Sequence, residues 1–147
     1  GWQNQLIAQG HGFETYPHYV EGSLANYENL DNAQTGLHDW GKVVKFGFGR
    51  ATDIACMHIR RGRLNRDEAL RVIPQRERFP WSYLGYAIAD ILQPLGLTVE
   101  QCIEVYDRFT NTAIFQTDDT GRVRKEADGT PVRRYPVGGG VPTVRQS

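Results

Sequence analysis

Sulfur is scarce in this chain of 147 residues, which holds two cysteines and one methionine. Cys56 and Cys102 stand far apart, each inside a helical pattern, so a disulfide-stapled scaffold and a Cys-x-x-Cys metal site are both excluded. Both are read as buried thiols. His11, His18, His38 and His58 include no His-x-x-x-His pair, so no zinc site and no other metal site is assigned. An excess of one charge is also missing: 17 basic residues face 17 acidic ones. No whole-molecule field therefore recruits nucleic acid or an anionic membrane, and any anion site must be local. No apolar run approaches the roughly 18–20 residues that span a bilayer, and no signal peptide opens the chain. The cytoplasm is the expected compartment. Gly-x-Ser-x-Gly and Walker A patterns are absent as well. The chain opens on Gly1 with Met57 as its sole methionine, and is expected to be processed, tagged or a segment of a longer protein.

What is present is the composition of a globular domain, 39% apolar and 23% charged. Trp2 to Gln9 reads as the end of a helix stopped by Gly10 and Gly12. A long loop follows to Asn32, with a short helix near Leu24–Leu30 and with Tyr16, Tyr19 and Tyr27 to pack it. Leu37, Trp40, Val43 and Val44 then recur at helical spacing over Ala33–Phe46. Phe46-Gly47-Phe48-Gly49 interrupts the pattern, which resumes over Ala51–Arg60 and ends at Gly62. Asn65 with Glu68 marks the start of another helix, broken by Pro74. A further helix is predicted over Trp81–Leu92. Thr98 and Gln101 match a capping box opening a helix with Cys102, Ile103, Tyr106 and Phe109 on one stripe. Ala113–Arg124 reads as a hairpin around an Asp118–Gly121 turn, with a second turn at Asp128-Gly129. The predicted fold is mainly α: a helical domain over residues 1–110, a β-hairpin extension over 111–137 and a flexible tail over 138–147.

The densest cluster of chemistry is Lys45-Phe46-Gly47-Phe48-Gly49-Arg50, followed by Asp53 and by Ile59-Arg60-Arg61-Gly62-Arg63. Glycines let backbone N–H groups approach an anion, and flanking cations neutralise it. Arg50 opens the next helix, whose dipole also favours negative charge. Arg60 carries a planar fork suited to phosphate or carboxylate. Lys45, Gly47, Gly49, Arg50, Asp53, Arg60 and Arg63 are thus the candidate phosphate- or substrate-binding residues, with four cations expected to converge on one pocket. No catalytic residue is assigned. Against this stands the ordinary reading, in which glycines between helices are turns and arginines are solvated. Asp39 and Asp53 are lone carboxylates suited to orienting a lysine or arginine, or to pairing with one at the surface. Cys56 has an apolar helical neighbourhood that favours an inert thiol. Trp40 and Trp81 read as core residues.

Trp40 through Asp53, then Ile59-Arg60-Arg61-Gly62-Arg63 and Arg66-Asp67-Glu68-Ala69-Leu70, together resemble the C-terminal signature of the N-acetyl sugar amidotransferases of bacterial surface-polysaccharide synthesis. That signature is a lysine–aromatic–glycine–aromatic–glycine–arginine segment, an isoleucine–arginine–x–glycine–arginine segment and an arginine–glutamate-rich helix start. Tyr27-Glu28 and Leu95-Gly96-Leu97-Thr98 also fit, and the likeness covers about residues 1–110. It implies the C-terminal portion of an α/β ATP pyrophosphatase-type enzyme using ATP with Mg. Such an enzyme adenylates the carboxamide oxygen of a nucleotide-linked N-acetyl sugar, and ammonia then displaces AMP to leave an acetamidino group. It also implies ammonia-supplying glutaminase and barrel subunits, and a place in lipopolysaccharide or O-antigen synthesis. Lys45, Arg50, Arg60 and Arg63 match motif positions able to hold phosphate. The family's Ser-Gly-Gly-x-Asp-Ser-like ATP loop does not occur here. The nucleotide-binding half is accordingly expected upstream of Gly1, in another chain, or nowhere, and this piece alone to bind ATP weakly and catalyse nothing.

Two other functions compete. One is a non-catalytic helical binding or assembly module. The other is a nucleic-acid-binding helical domain built on Arg60, Arg61, Arg63, Arg66 and Arg71, which Asp67, Glu68 and the neutral net charge oppose.

Overall fold

The computed structural model describes residues 2–139. It is mainly helical, with six α-helices, α1 (Trp2–Gly10), α2 (Thr35–Phe46), α3 (Arg50–Arg60), α4 (Arg66–Arg76), α5 (Ile88–Leu92) and α6 (Val99–Phe109), among the described residues. A two-stranded hairpin, β1 (Ser82–Tyr83) and β2 (Tyr86–Ala87), and a short 3-10 helix over Gln93–Leu95 complete the regular elements among the described residues. The helix stops follow the sequence closely. Gly47 adopts the left-handed conformation that ends α2, its N–H donating to the Val43 carbonyl. Asn65 caps α4 by accepting from the Glu68 N–H at 2.7 Å. Thr98 and Gln101 close both bonds of the capping box on α6.

Three expectations are corrected. The segment from Trp81 is not helical until Ile88, because Leu84 and Gly85 both take positive φ (51° and 82°) and turn the chain into a hairpin. Glu21 holds that turn, accepting from Ser82 Oγ at 2.8 Å and from the Leu84 N–H at 3.2 Å. Pro74 sits inside α4, which continues two residues beyond it to Arg76. Leu24–Leu30 forms successive bends and no helix. Within that loop Val20 is buried in the core and Tyr16 packs against it, whereas Tyr19 is exposed.

The principal core joins Leu37, Trp40, Val43 and Val44 of α2 to Phe79, Tyr83, Ile88, Leu92, Cys102 and Phe115. Trp40 meets Phe79 edge-on at 5.7 Å between ring centroids. Close packing needs small residues at two places on α2: a Cβ on Gly36 would lie 2.7 Å from the Tyr83 ring, and one on Gly41 3.3 Å from the Tyr106 ring. A second cluster of Ala55, Ala69 and Ile73 joins α3 to α4.

The C-terminal stretch folds around the predicted Asp118–Gly121 turn and a second turn at Glu126–Gly129. Three isolated antiparallel bridges pair its segments: Phe115 with Arg133, Thr117 with Val123, and Lys125 with Pro131. Three backbone bonds close a ring, from Gln116 N–H to Val132 O, Val132 N–H to Arg124 O, and Arg124 N–H to Gln116 O, at 2.8, 2.8 and 2.9 Å. Phe115 anchors this ring in the principal core. Of the tail expected over 138–147, Gly138 accepts from Arg66 at 3.1 Å and Gly139 closes a turn onto Pro136. The remainder lies outside the described residues. No helix among the described residues is long and apolar enough to cross a membrane.

Candidate functional site

Gly49, the second glycine between α2 and α3, does admit an anion, and the anion is the chain's own. Glu77, buried just beyond α4, accepts from the Gly49 N–H and the Thr52 N–H through one oxygen, Oε1, each at 2.8 Å. The Ala51 N–H is taken by the Gly22 carbonyl at 2.9 Å. The α3 N-terminus, where helix dipole and free N–H groups favour negative charge, is thus already filled. A Cβ on Gly49 would stand 2.8 Å from Val43 and 3.2 Å from Glu77 Oε1, which is why glycine occupies this position. Glu77 Oε2 has no hydrogen-bond partner among the described residues. Arg133 lies near enough to oppose its charge, while burial pushes the Arg133 guanidinium below its ordinary value.

The four cations of the motif do not share a pocket. Arg50 turns back onto α2, where Asp39 grips it at two points, Nε to Oδ2 at 2.6 Å and NH2 to Oδ1 at 3.1 Å. Lys45 rides over the Phe109 ring of α6, 5.0 Å from its centroid. Arg63 stacks on Trp2 at 4.3 Å, and Arg60 is exposed at the end of α3. Asp53 pairs with Lys42 at the surface. Of the two lone carboxylates, Asp39 orients an arginine from a buried position and Asp53 pairs with a lysine at the surface. Cys56, expected to be buried, is exposed; Cys102 is buried, and burial raises its thiol above the ordinary value. Trp40 is core, whereas Trp81 is half exposed and donates its indole N–H to the Asp128 carbonyl at 2.7 Å.

Arg50 lines an open cleft of about 660 Å³, a size typical of small-molecule sites. Asn29, Asn32, Gln34 and His38 give it a polar rim; Leu92, Leu97 and Val105 give it an apolar floor. The Asn29 amide oxygen, in the orientation that satisfies both groups, accepts from Arg50 NH1 at 2.8 Å. Asn29 adopts φ +57°, and its carbonyl accepts from the Tyr83 hydroxyl at 3.2 Å. The hydrogen bond to Asp39 holds the Arg50 guanidinium firmly protonated. A guanidinium offers five N–H donors, so this fork retains donors beyond those bonds for a ligand in the cleft. Tyr106 closes the floor, its hydroxyl donating to the Leu37 carbonyl at 2.7 Å, and burial pushes its pKa up to about 12. Asn29, Asn32, Gln34 and His38 were not foreseen. No spacing rule links a loop to a helix residue that only tertiary folding brings beside it.

Residues 13–127 match the sequence profile of the family described as LPS biosynthesis protein WbpG-like, C-terminal domain. The chain belongs to this family. The WbpG-like match includes the Lys45–Leu70 motif and every residue lining the Arg50 cleft. It also continues past Phe109 through the Asp118–Gly121 turn. No curated protein sequence matches the chain. The family description places this domain in lipopolysaccharide biosynthesis, and its fold here is the helical one that the hydrophobic spacing predicts.

Proposed function

We propose that this WbpG-like domain is the substrate-facing C-terminal part of an ATP-dependent amidotransferase. The enzyme converts the acetamido group of a nucleotide-linked N-acetyl sugar to an acetamidino group. The observation that carries the reading is the Arg50 cleft. A guanidinium fixed by Asp39 and Asn29, with spare donors, stands over an apolar floor among amide side chains that match sugar hydroxyls. Such a preorganised fork orients a carbonyl or a phosphate without reorganising when the ligand arrives. Arg50 binds and orients; it does not transfer a proton.

ATP with Mg belongs to another part of the enzyme on this reading. The residues present do not fit its phosphates, because Glu77 fills the glycine-flanked start of α3 that would cradle them. Repulsion from that carboxylate would oppose a second anion there. The ammonia source, a glutaminase with its barrel subunit, is likewise a partner outside this chain.

The test is amidination by the assembled enzyme, with this chain joined to an ATP-binding part and supplied with ammonia. Product is followed by mass spectrometry. Arg50→Lys is expected to lower conversion by about a hundredfold, equal to about 2.7 kcal/mol of lost transition-state binding. The 147-residue chain alone is expected to make no product. Undiminished conversion by Arg50→Lys, or product from the isolated chain, refutes the reading.

A second reading has its own observation. Phe46, Val105, Leu95 and Phe109 are exposed large apolar side chains on or beside the α2 and α6 surfaces, which suits assembly with another domain. Binding of a partner without any nucleotide-sugar binding would favour it.

A further inference from the structure

The face between α2 and α6 is sorted by charge. The Arg50 cleft and a second depression of about 510 Å³ share Leu37, His38, Val105 and Tyr106, so the two form one continuous groove. The second depression lies toward the C-terminal ends of both helices, where Lys42, Lys45, Phe46 and Phe109 line it. Among the described residues no carboxylate lines either part, although acidic and basic residues are equal in number over the whole chain. Lys42 is paired with Asp53, whereas Lys45 has no carboxylate partner among the described residues.

Folding does not account for the rings at this end. Phe46 is 60% and Phe109 55% exposed, and neither belongs to a core cluster. The carbonyls at the end of α2, which would repel an anion, are already engaged. Val43 O accepts from the Gly47 N–H, Val44 O from the Asn111 N–H at 2.9 Å, and Lys45 O from the Asn111 side-chain amide at 3.2 Å. What faces the solvent is thus an ammonium without a carboxylate partner among the described residues, set over the Phe109 ring and next in the chain to the exposed Phe46 ring.

That combination matches a heterocyclic base joined to phosphate. An aromatic face stacks on any base, and a lysine serves phosphate as a mobile point charge. We infer that the Lys45 end of the groove binds the nucleoside diphosphate half of the nucleotide-linked sugar. The base stacks on Phe46 or Phe109, the phosphates meet Lys45, and the N-acetyl sugar runs toward Arg50, Asn29 and Asn32. The inference rests on the amidotransferase reading and adds to it where the nucleotide lies and how the substrate is oriented.

The experiment is a titration of the 15N-labelled chain followed by amide chemical shifts. The probes are uridine diphosphate, adenosine diphosphate, UDP-N-acetylglucosamine and free N-acetylglucosamine. Either diphosphate is expected to shift the amides of Gly41, Lys45, Phe46 and Phe109, and the conjugate to shift Asn32 and Arg50 as well. Lys45→Met weakens diphosphate binding about tenfold, the equivalent of about 1.4 kcal/mol, and Lys45→Arg restores it. Phe109→Ala acts in the same direction, and retained peak dispersion shows that each variant is folded. Diphosphates that leave those four amides unmoved, or unchanged affinity in Lys45→Met, overturn the inference. A conjugate that shifts only the Arg50 end overturns it too, yet leaves the Arg50 reading standing. Diphosphate binding at Lys45 in an enzyme that makes no acetamidino product sinks the reaction and keeps the groove.

Discussion

Arg50 and Asp39 form a two-point ion pair that ties the first residue of α3 to the middle of α2. Asp39 is almost fully buried, while about a quarter of the Arg50 side chain reaches the cleft. Removing Asp39 leaves a half-buried guanidinium without its counter-charge. Asp39→Ala is expected to cost about 2–3 kcal/mol, below the range for fully buried pairs because solvent reaches Arg50. Urea unfolding of the variant beside the parent chain measures it; a loss under about 0.5 kcal/mol, the ordinary surface value, would show the pair to be incidental.

Glu77 caps α3 from a distance in sequence, a bond that no local pattern announces. Glu77→Ala strands the buried Gly49 N–H and the partly buried Thr52 N–H and is expected to cost about 2–4 kcal/mol. Glu77→Gln keeps an acceptor oxygen and should lose less. Equal losses in the two variants would contradict the cap.

Gly49 and Gly47 demand glycine for different reasons, and the difference is measurable. Gly49→Ala meets Val43 and Glu77 in an ordinary extended conformation, so its cost of about 1–3 kcal/mol is steric. Val43→Ala in the same chain should relieve part of it, giving a non-additive double mutant. Gly47→Ala is disfavoured by φ +78° as well as by Ile114, and Val43→Ala should not help it. Additivity at Gly49 and Val43 would count against the packing described.

Burial pushes the pKa of both Tyr83 and Tyr106 up to about 12. Their folded values lie above the unfolded value near 10, so the folded state holds these protons more tightly. The stability they contribute is complete below about pH 10 and is lost as pH rises toward 12. Tyrosinate absorbance should show Tyr83 and Tyr106 ionising late, with Tyr27 also displaced upward by burial, together with loss of helical circular dichroism. Both hydroxyls titrating with the exposed tyrosines would contradict the packing around them.

Cys56 should react with a thiol reagent in the native chain, and Cys102 only after unfolding. Two fast equivalents from the folded protein would contradict the placement of Cys102 in the core.

The helices were legible because their signals are local. Leu37, Trp40, Val43 and Val44 announce one face of α2, and Thr98 with Gln101 fixes the start of α6. The hairpin at 82–87 was not legible, since Trp81, Leu84, Ile88 and Ile91 also recur at helical spacing, and a bond to distant Glu21 decides the turn. The same limit applies to the site. Sequence singled out Arg50, Lys45 and the glycines, but treated cations close in the chain as close in space. The turn at Gly47 leaves Lys45 and Arg50 at opposite ends of one groove, and the stacking of Arg63 on Trp2 sends that cation elsewhere. Glu77, Asn29 and Asp39, which decide what Arg50 and the α3 start can bind, reach them only through the tertiary fold.

The most direct test of the Arg50 cleft is calorimetric binding of UDP-N-acetylglucosamine and of uridine diphosphate to the parent chain and to Arg50→Lys. The substitution is expected to weaken the sugar conjugate by about tenfold and leave the diphosphate within about twofold. Equal affinity of parent and variant for the conjugate would contradict a sugar-binding role for Arg50.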